Sequence, residues 1–196
     1  LAADTYKLEG ERTDGALKAQ DVTFQTGRSK GGYTWATKME AKVLGPEHPK
    51  GFGPTGLKKQ MQPLPTNRKI HPGGDKHFIK GHLLNDNLGG PGTDENLFPI
   101  TEEANKEHHD QIEWQVKHWV NDNGFYVYYK VEIKNIDEHI NYKKVDYKGN
   151  WVNCELHAIA YVIDETGSRA KEKTYSLSKK VVSSFKGKAV TSSDVE

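Results

Sequence analysis

The residues able to do chemistry are concentrated in one stretch of the chain, from Phe78 to Trp119. This stretch holds a histidine that follows a glycine, a loop rich in glycine and proline, and a segment with amides and carboxylates at helical spacing. A histidine side chain can accept a proton near neutral pH. A segment that only filled a hydrophobic core would be more apolar and less varied in its chemistry. The stretch therefore indicates a catalytic site.

The second half of this stretch has the pattern of an amphipathic helix that starts near Thr101. The Thr101 side chain can accept a backbone N–H of the first turn, and Glu102 and Glu103 place negative charge at the positive end of the helix dipole. Spacings of three and four predict a buried stripe made of Ile112, Val116, Trp119 and Val120. Beside it, at the rim of the surface on which the helix packs, we expect a polar row, four residues apart, made of Asn105, His109, Glu113 and Lys117.

A short strand is predicted before the helix, and it carries His82. Residues 76–84 partly alternate between apolar and polar types, with two glycines before them and Asn-Asp after them. Residues 87–94 then turn the chain through three glycines and a proline. A strand, a loop and a helix in this order form a hairpin-like unit. In such a unit His82 and Asn105 converge on one small volume.

Three spaced motifs in this region resemble a known family. They are Lys-Gly-His at residues 80–82, Asn-Leu-Phe-Pro-Ile-Thr at 96–101, and Ala-Asn at 104–105 with a glutamate at 113. Their order is similar to that of the DNA/RNA non-specific endonucleases of the ββα-metal type. The resemblance implies that His82 is the general base, that Asn105 is a ligand of Mg²⁺, and that Glu113 orients water bound to the metal.

The residues in this pattern suit phosphodiester hydrolysis, which needs a base for the attacking water, positive charge on the transition state and help for the leaving oxygen. Mg²⁺ often binds through one or two protein oxygens, so one asparagine and a glutamate acting through water are enough; Mn²⁺ is an alternative ion. The family motif has Asp and Arg where this chain has Ile79 and Lys80. Lys80 can bring positive charge to a phosphate, but it cannot form the two-pronged contact of an arginine.

Other interpretations of the same residues stay open at this point. A zinc site could draw on His77, His82, His108, His109 and His118, although no His-Glu-x-x-His spacing occurs and the sequence has one cysteine. A catalytically weak or inactive module that binds nucleic acid or a protein is favoured by the loss of the motif's Asp and Arg. Glu113 and Lys117 could form an ordinary surface ion pair. Asn96 could be a second metal-site residue or a turn former.

Charge is distributed unevenly, although the net charge is +1. The bases of residues 50–80 are Lys50, Lys58, Lys59, Arg68, Lys69, Lys76 and Lys80, against Asp75 alone. Residues 94–113 hold seven acids against one lysine. The first block could line a phosphate-binding surface, and the second could attract a cation, unless both are simply solvated. As substrate-binding residues we predict Lys58, Lys59, Arg68, Lys76, His109 and Lys117.

The predicted fold is an α+β domain with a central antiparallel sheet, a ββα-metal catalytic core and one long catalytic helix. We expect a loosely attached segment over residues 1–20, a single nuclease-like domain over 21–178 with its core at 76–120, and a mobile tail over 179–196. Strands are predicted near residues 21–24, 33–44, 125–136 and 151–163, with a short helix near 57–61 in a long proline- and glycine-rich loop.

Partners and location follow from the resemblance and from composition. The resemblance implies a DNA or RNA substrate. No apolar run reaches the length of a membrane span, so no membrane partner is expected. The chain begins at Leu1 without a signal peptide, which favours a toxin domain of a larger secreted or delivered protein. Such a toxin implies a cognate inhibitor protein.

Overall fold

The computed structural model describes residues 19, 21–67, 77–164, 166–185 and 191–192. The strands are β1 (Thr23–Arg28), β2 (Thr34–Leu44), β3 (Phe78–His82), β4 (Leu97–Thr101), β5 (Tyr126–His139), β6 (Trp151–Ile163), β7 (Ser176–Ser183) and β8 (Thr191–Ser192). Helix α1 is short (Lys58–Met61), and helix α2 covers residues 102–122. Single 3₁₀ turns occur at Asp86–Leu88, Asp94–Asn96 and Lys173–Tyr175. The α+β class predicted from the sequence is confirmed.

Six strands form one antiparallel sheet in the order β1-β2-β5-β6-β7-β8. Residues along β5 and β6 alternate between buried and partly exposed positions, as expected for a sheet with one face on the core. The buried face includes Val127, Tyr129 and Val131 of β5 and Leu156 and Ala158 of β6. The predicted long strands are confirmed, and β6 has the predicted bounds.

A separate two-stranded hairpin, β3 with β4, precedes helix α2. Lys80 pairs with Pro99, and Gly81 pairs with Phe98. Strand β4 was not predicted, because Pro99 lacks a backbone N–H and proline argues against a strand. A two-stranded hairpin leaves both outer edges free of strand partners, so it tolerates a proline that a central strand would exclude.

Helix α2 starts as predicted. The Thr101 hydroxyl accepts the backbone N–H of Ala104 at 3.1 Å. The predicted buried stripe is confirmed, because Ile112, Val116, Trp119 and Val120 are all buried. The helix is α-helical at Glu102–His108 and Trp114–Lys117 and π-helical at His109–Glu113 and His118–Asp122. Gly124, with φ of +67°, follows its end.

The C-terminal boundary differs from the prediction. Residues 179–183 were placed in a mobile tail, but they belong to β7, which pairs with β6 along its whole length. Val181 is fully buried. The strand was missed in the sequence because Lys179 and Lys180 directly precede Val181. Residues 1–18 and 20 of the predicted N-terminal segment, and residues 186–190 and 193–196 of the predicted tail, lie outside the described residues. None of the described helices combines the length and the apolar composition that crossing a membrane requires.

Candidate active site

A pocket of about 520 Å³ lies between the β3–β4 hairpin, helix α2 and the loop before α1. We call it the His82 pocket. The residues that line it are Pro54, Ile79, Lys80, His82, Asn85, Asp86, Asn105, His109 and Glu113. Five of the predicted site residues are thus brought together, namely Lys80, His82, Asn105, His109 and Glu113. Sequence reasoning missed Pro54, Asn85 and Asp86, although Asn85 and Asp86 directly follow the predicted strand.

His82, at the end of β3, is held by a carbonyl from a distant loop. Its Nε2 atom lies 3.1 Å from the backbone oxygen of Phe52. A carbonyl oxygen can only accept a hydrogen bond, so Nε2 carries the hydrogen and Nδ1 keeps the lone pair. Phe52 is itself fixed, because its N–H donates to the Gly90 carbonyl at 3.2 Å. The fold therefore selects the tautomer in which Nδ1 can accept a proton.

Lys80 and His82 lie on one face of β3, two residues apart, and both line the pocket. Gly81 between them points the other way, toward β4. A side chain at that position would begin 2.5 Å from the Ile100 Cδ1 atom and 3.2 Å from the Phe98 carbonyl oxygen. A larger residue here would force the Ile100 side chain to shift, so packing favours the glycine of the Lys-Gly-His motif.

The loop after β3 is closed by Asn96, which is fully buried. Its Oδ1 accepts the Leu84 N–H at 2.8 Å, and its Nδ2 donates to the Leu84 and Pro91 carbonyls at 2.8 and 2.9 Å. These bonds engage both ends of the amide. Asn96 shapes the loop that follows His82, and it is not among the residues that line the pocket.

Helix α2 presents Asn105, His109 and Glu113 to the same pocket. Four residues of an α-helix turn about 40° beyond a full circle, so a row at this spacing drifts around the helix. The π turn at His109–Glu113 takes more residues per revolution and counteracts that drift. The sequence predicted the row from ideal α-helical geometry and gave no sign of the π turn that straightens it.

Glu113 is buried in the floor of the pocket, with 3% of its surface exposed, and not at the rim as the sequence suggested. One of its oxygens lies 3.8 Å from Nε2 of the buried His108. Burial lowers the pKa of His108, although Glu113 acts in the opposite direction. Burial also raises the pKa of the Tyr129 hydroxyl, and the charge of Glu113 adds to this. The Glu113 carboxylate thus lies among neutral buried groups.

His109 connects the pocket to Lys117. The Lys117 ammonium lies 3.1 Å from His109 Nε2, and His109 Nδ1 lies 3.1 Å from an Asp110 oxygen. Since an ammonium only donates and a carboxylate only accepts, His109 is neutral with its hydrogen on Nδ1. The hydrogen bond from Lys106, at 2.6 Å, and that from His109 lower the pKa of Asp110. Lys117 therefore adds positive charge beside the pocket.

The remaining predicted substrate contacts are not in this pocket. Lys58 and Lys59 are exposed on α1 and do not line it. Arg68 and Lys76 lie outside the described residues. The positive charge that the described structure brings to the pocket comes from Lys80 and, through His109, from Lys117.

The side chains in the pocket fit a hard divalent cation. Asn105 and Glu113 both line the pocket and both carry side-chain oxygens, and the Asn105 amide has no hydrogen-bond partner within the described residues. Oxygen ligands in small number suit Mg²⁺. Across the described ranges, no three His, Cys, Asp or Glu side chains are grouped to hold a metal. His77 and His108 are buried, and Cys154 is buried with a raised pKa.

An antiparallel hairpin followed by a helix, with a histidine on the first strand and an amide and a carboxylate on the helix, defines a ββα-metal nuclease architecture. The sequence model of the family "DNA/RNA non-specific endonuclease" matches residues 36–152, more than half of the 196 residues, and the chain belongs to this family. The matched region contains every residue that lines the His82 pocket. No curated protein matches the chain.

Proposed function

We propose that this protein is a Mg²⁺-dependent endonuclease that cleaves DNA or RNA without sequence preference, with His82 as the general base. The observation that carries the proposal is the hydrogen bond between His82 Nε2 and the Phe52 carbonyl at 3.1 Å. It leaves Nδ1 as the proton acceptor on a residue that lines the pocket. A base held in one tautomer is what the activation of water requires.

The other pocket residues have complementary roles in this proposal. Asn105 would hold the cation directly, and Glu113 would hold it through water. The bound ion supplies positive charge to the phosphate and to the leaving oxygen. Lys80 shares the strand face of His82, so its ammonium can contact the same phosphate. Lys117, next to His109, and the exposed Lys58 and Lys59 are proposed to contact neighbouring phosphates.

The test is the cleavage of plasmid DNA and of total RNA, with Mg²⁺ and with EDTA, by the wild type and by His82→Ala. Loss of the base should lower kcat by a factor of about 10²–10⁴. His139→Ala is the control, because His139 is an exposed histidine at the end of β5 and not part of the pocket. Circular dichroism verifies that both variants fold. Wild-type cleavage by folded His82→Ala would refute the role of His82.

The cation is tested without relying on activity. In the His82→Ala background, Mn²⁺ binding measured by electron paramagnetic resonance should weaken when Asn105 is replaced by Ala. Asn105→Asp should keep an oxygen ligand and retain binding. Equal Mn²⁺ affinity in the Asn105→Ala variant would remove this residue from the metal site.

The same cleavage assay separates the enzyme from the inactive module considered above, because a module would bind nucleic acid and leave it intact. We also propose that the domain acts as a toxin within a larger secreted or delivered protein and is neutralised by a cognate inhibitor. The family resemblance alone supports the proposal of a toxin role and of a cognate inhibitor. It predicts that expression of the wild type, but not of His82→Ala, arrests the growth of a host cell.

A further inference from the structure

A second pocket, larger than the first, also lies against helix α2. It has a volume of about 720 Å³ and runs between α2, strand β7 and the turn at Lys173–Tyr175. We call it the β7 groove. Helix α2 contributes Asp110, Gln111, Trp114, Gln115 and Trp119 to its lining. The facing wall includes Arg169, Lys173, Leu177 and Lys179.

The β7 groove has an excess of positive charge. Arg169, Lys173 and Lys179 face one acid, Asp110, whose carboxylate is already bound by Lys106 at 2.6 Å. Lys179 reaches across to helix α2, where its ammonium lies 3.4 Å from the Gln111 side-chain oxygen. A concave surface lined by one sign of charge concentrates ligands of the opposite sign. The charge therefore favours an anionic ligand.

Three side-chain polar atoms of residues that line the groove have no partner among the described residues, and one of them is the Ser178 hydroxyl oxygen. The Trp119 side chain is fully buried, and its indole Nε1 makes no hydrogen bond. The Nε2 of Gln115 is also buried and without a partner. Buried donors without partners are costly and uncommon, so these three groups, each of which carries an N–H or O–H, suit a ligand rich in acceptor oxygens. Both phosphates and the carbonyl groups of bases supply such oxygens.

An exposed aromatic ring stands at the same groove. Trp114 is 53% exposed and stacks on His118, with ring centroids 5.4 Å apart and planes 6° from parallel. His118 is fixed in turn by Asp122 at 2.9 Å. Aromatic side chains of this kind serve as stacking platforms for unpaired bases.

The β7 groove adjoins the His82 pocket along the chain. His109 lines the pocket, and the next residue, Asp110, lines the groove. The groove also uses residues beyond the family match, which ends at residue 152, so its basic wall is not part of the matched region.

We infer that the β7 groove binds a segment of single-stranded nucleic acid next to the cleavage site, with phosphates on Lys173 and Lys179 and a base stacked on Trp114. An acidic polypeptide would satisfy the lysines but would leave the aromatic platform unused. This inference rests on the proposed nuclease function, because it assigns a second contact to the same substrate.

The first test measures binding without cleavage. Fluorescence anisotropy follows a labelled single-stranded oligonucleotide of about 20 nucleotides, long enough for several contacts, in EDTA with His82→Ala protein. Adding Trp114→Ala should weaken binding by about five- to a hundredfold, the usual range for loss of one stacked base. Replacing Lys173 and Lys179 with Ala should reduce the slope of log K against log salt by about 1.4, which is two single-strand phosphate contacts.

The matched control removes the same charge elsewhere. Lys143→Ala with Lys148→Ala changes two exposed lysines in the loop between β5 and β6. This pair should alter affinity and salt slope much less than the groove pair. Equal effects of the two pairs would show only general electrostatic attraction and would overturn the proposal. So would displacement of the oligonucleotide by polyglutamate together with unchanged affinity in Trp114→Ala.

The second test separates the groove from the catalytic pocket. In the otherwise wild-type enzyme, Trp114→Ala should raise KM for the long single strand and leave kcat/KM for a dinucleotide unchanged, because a dinucleotide fills only the pocket. Equal loss on both substrates would refute a separate subsite. If the wild type cleaves neither substrate, the proposed function fails, whereas the anisotropy experiment still decides whether the groove binds nucleic acid.

Discussion

Replacing Gly92 with Ala should disable the active site from a position that does not line it. Gly92 packs against the loop that carries Phe52, and it accepts hydrogen bonds there from the N–H groups of Thr55 and Gly56 at 2.7 and 2.8 Å. A Cβ atom at Gly92 would lie 2.7 Å from the Gly53 carbonyl carbon, and would overlap the oxygen of that carbonyl. The Gly53 carbonyl must therefore move.

The size of the effect follows from this displacement. Real Cβ contacts under 3.0 Å essentially never occur, so the carbonyl has to retreat by about 1 Å to reach ordinary van der Waals separation. The preceding Phe52 carbonyl moves with it, which stretches its 3.1 Å hydrogen bond to His82 beyond bonding distance. A misplacement of 1 Å at a catalytic group can cost about 10²-fold in rate. We expect a loss of that order in kcat, and about 1–3 kcal/mol in the free energy of unfolding.

Gly53→Ala is the matched control, because a Cβ atom there would meet nothing within 4 Å. Single-turnover plasmid cleavage gives the rates of both variants, and ¹⁵N chemical shifts of the His82 ring report which nitrogen carries the hydrogen. The Gly92→Ala variant should lose both the rate and the fixed Nε2–H tautomer. If it folds and cleaves as fast as Gly53→Ala, the Phe52 carbonyl does not control His82.

Three further predictions concern other parts of the site. Lys80→Ala should reduce kcat, whereas Lys80→Arg should keep or raise it, since an arginine can bridge two phosphate oxygens; a folded Lys80→Arg variant as inactive as Lys80→Ala would contradict the placement of this strand. Thr101→Ala should lower the free energy of unfolding in urea by about 1 kcal/mol, while Thr101→Ser keeps the capping oxygen and should cost less; equal losses would mean that the cap contributes nothing. Burial lowers the pKa of His108 from its usual 6.5, so the unfolded chain binds this proton more readily than the folded one. The free energy of unfolding should therefore fall as the pH drops below 6.5, and His108→Gln should flatten the slope between pH 6.5 and 5; an unchanged slope would exclude His108 as its source.

Much of the fold can be predicted from the local sequence. The start of helix α2 could be predicted because its cap joins Thr101 to Ala104, three residues apart. Strands β5 and β6 could be predicted because alternation is visible within each strand. The proximity of His82 and Asn105 was predicted correctly, since the hairpin and the helix that carry them are consecutive in the chain. Interactions between near neighbours in the chain leave a periodic signal, and all of these features depend on such interactions.

The tertiary structure decided the features that join distant segments of the chain. The carbonyl that selects the tautomer of His82 comes from Phe52, 30 residues earlier, and nothing in the local sequence marks it. The depth of Glu113 depends on a π turn and on the packing of α2. The β7 groove forms only because Lys179, read as part of a tail, pairs into the sheet beside Trp114. Residue types and spacing thus determined the family, whereas long-range packing determined how the residues of the His82 pocket are arranged.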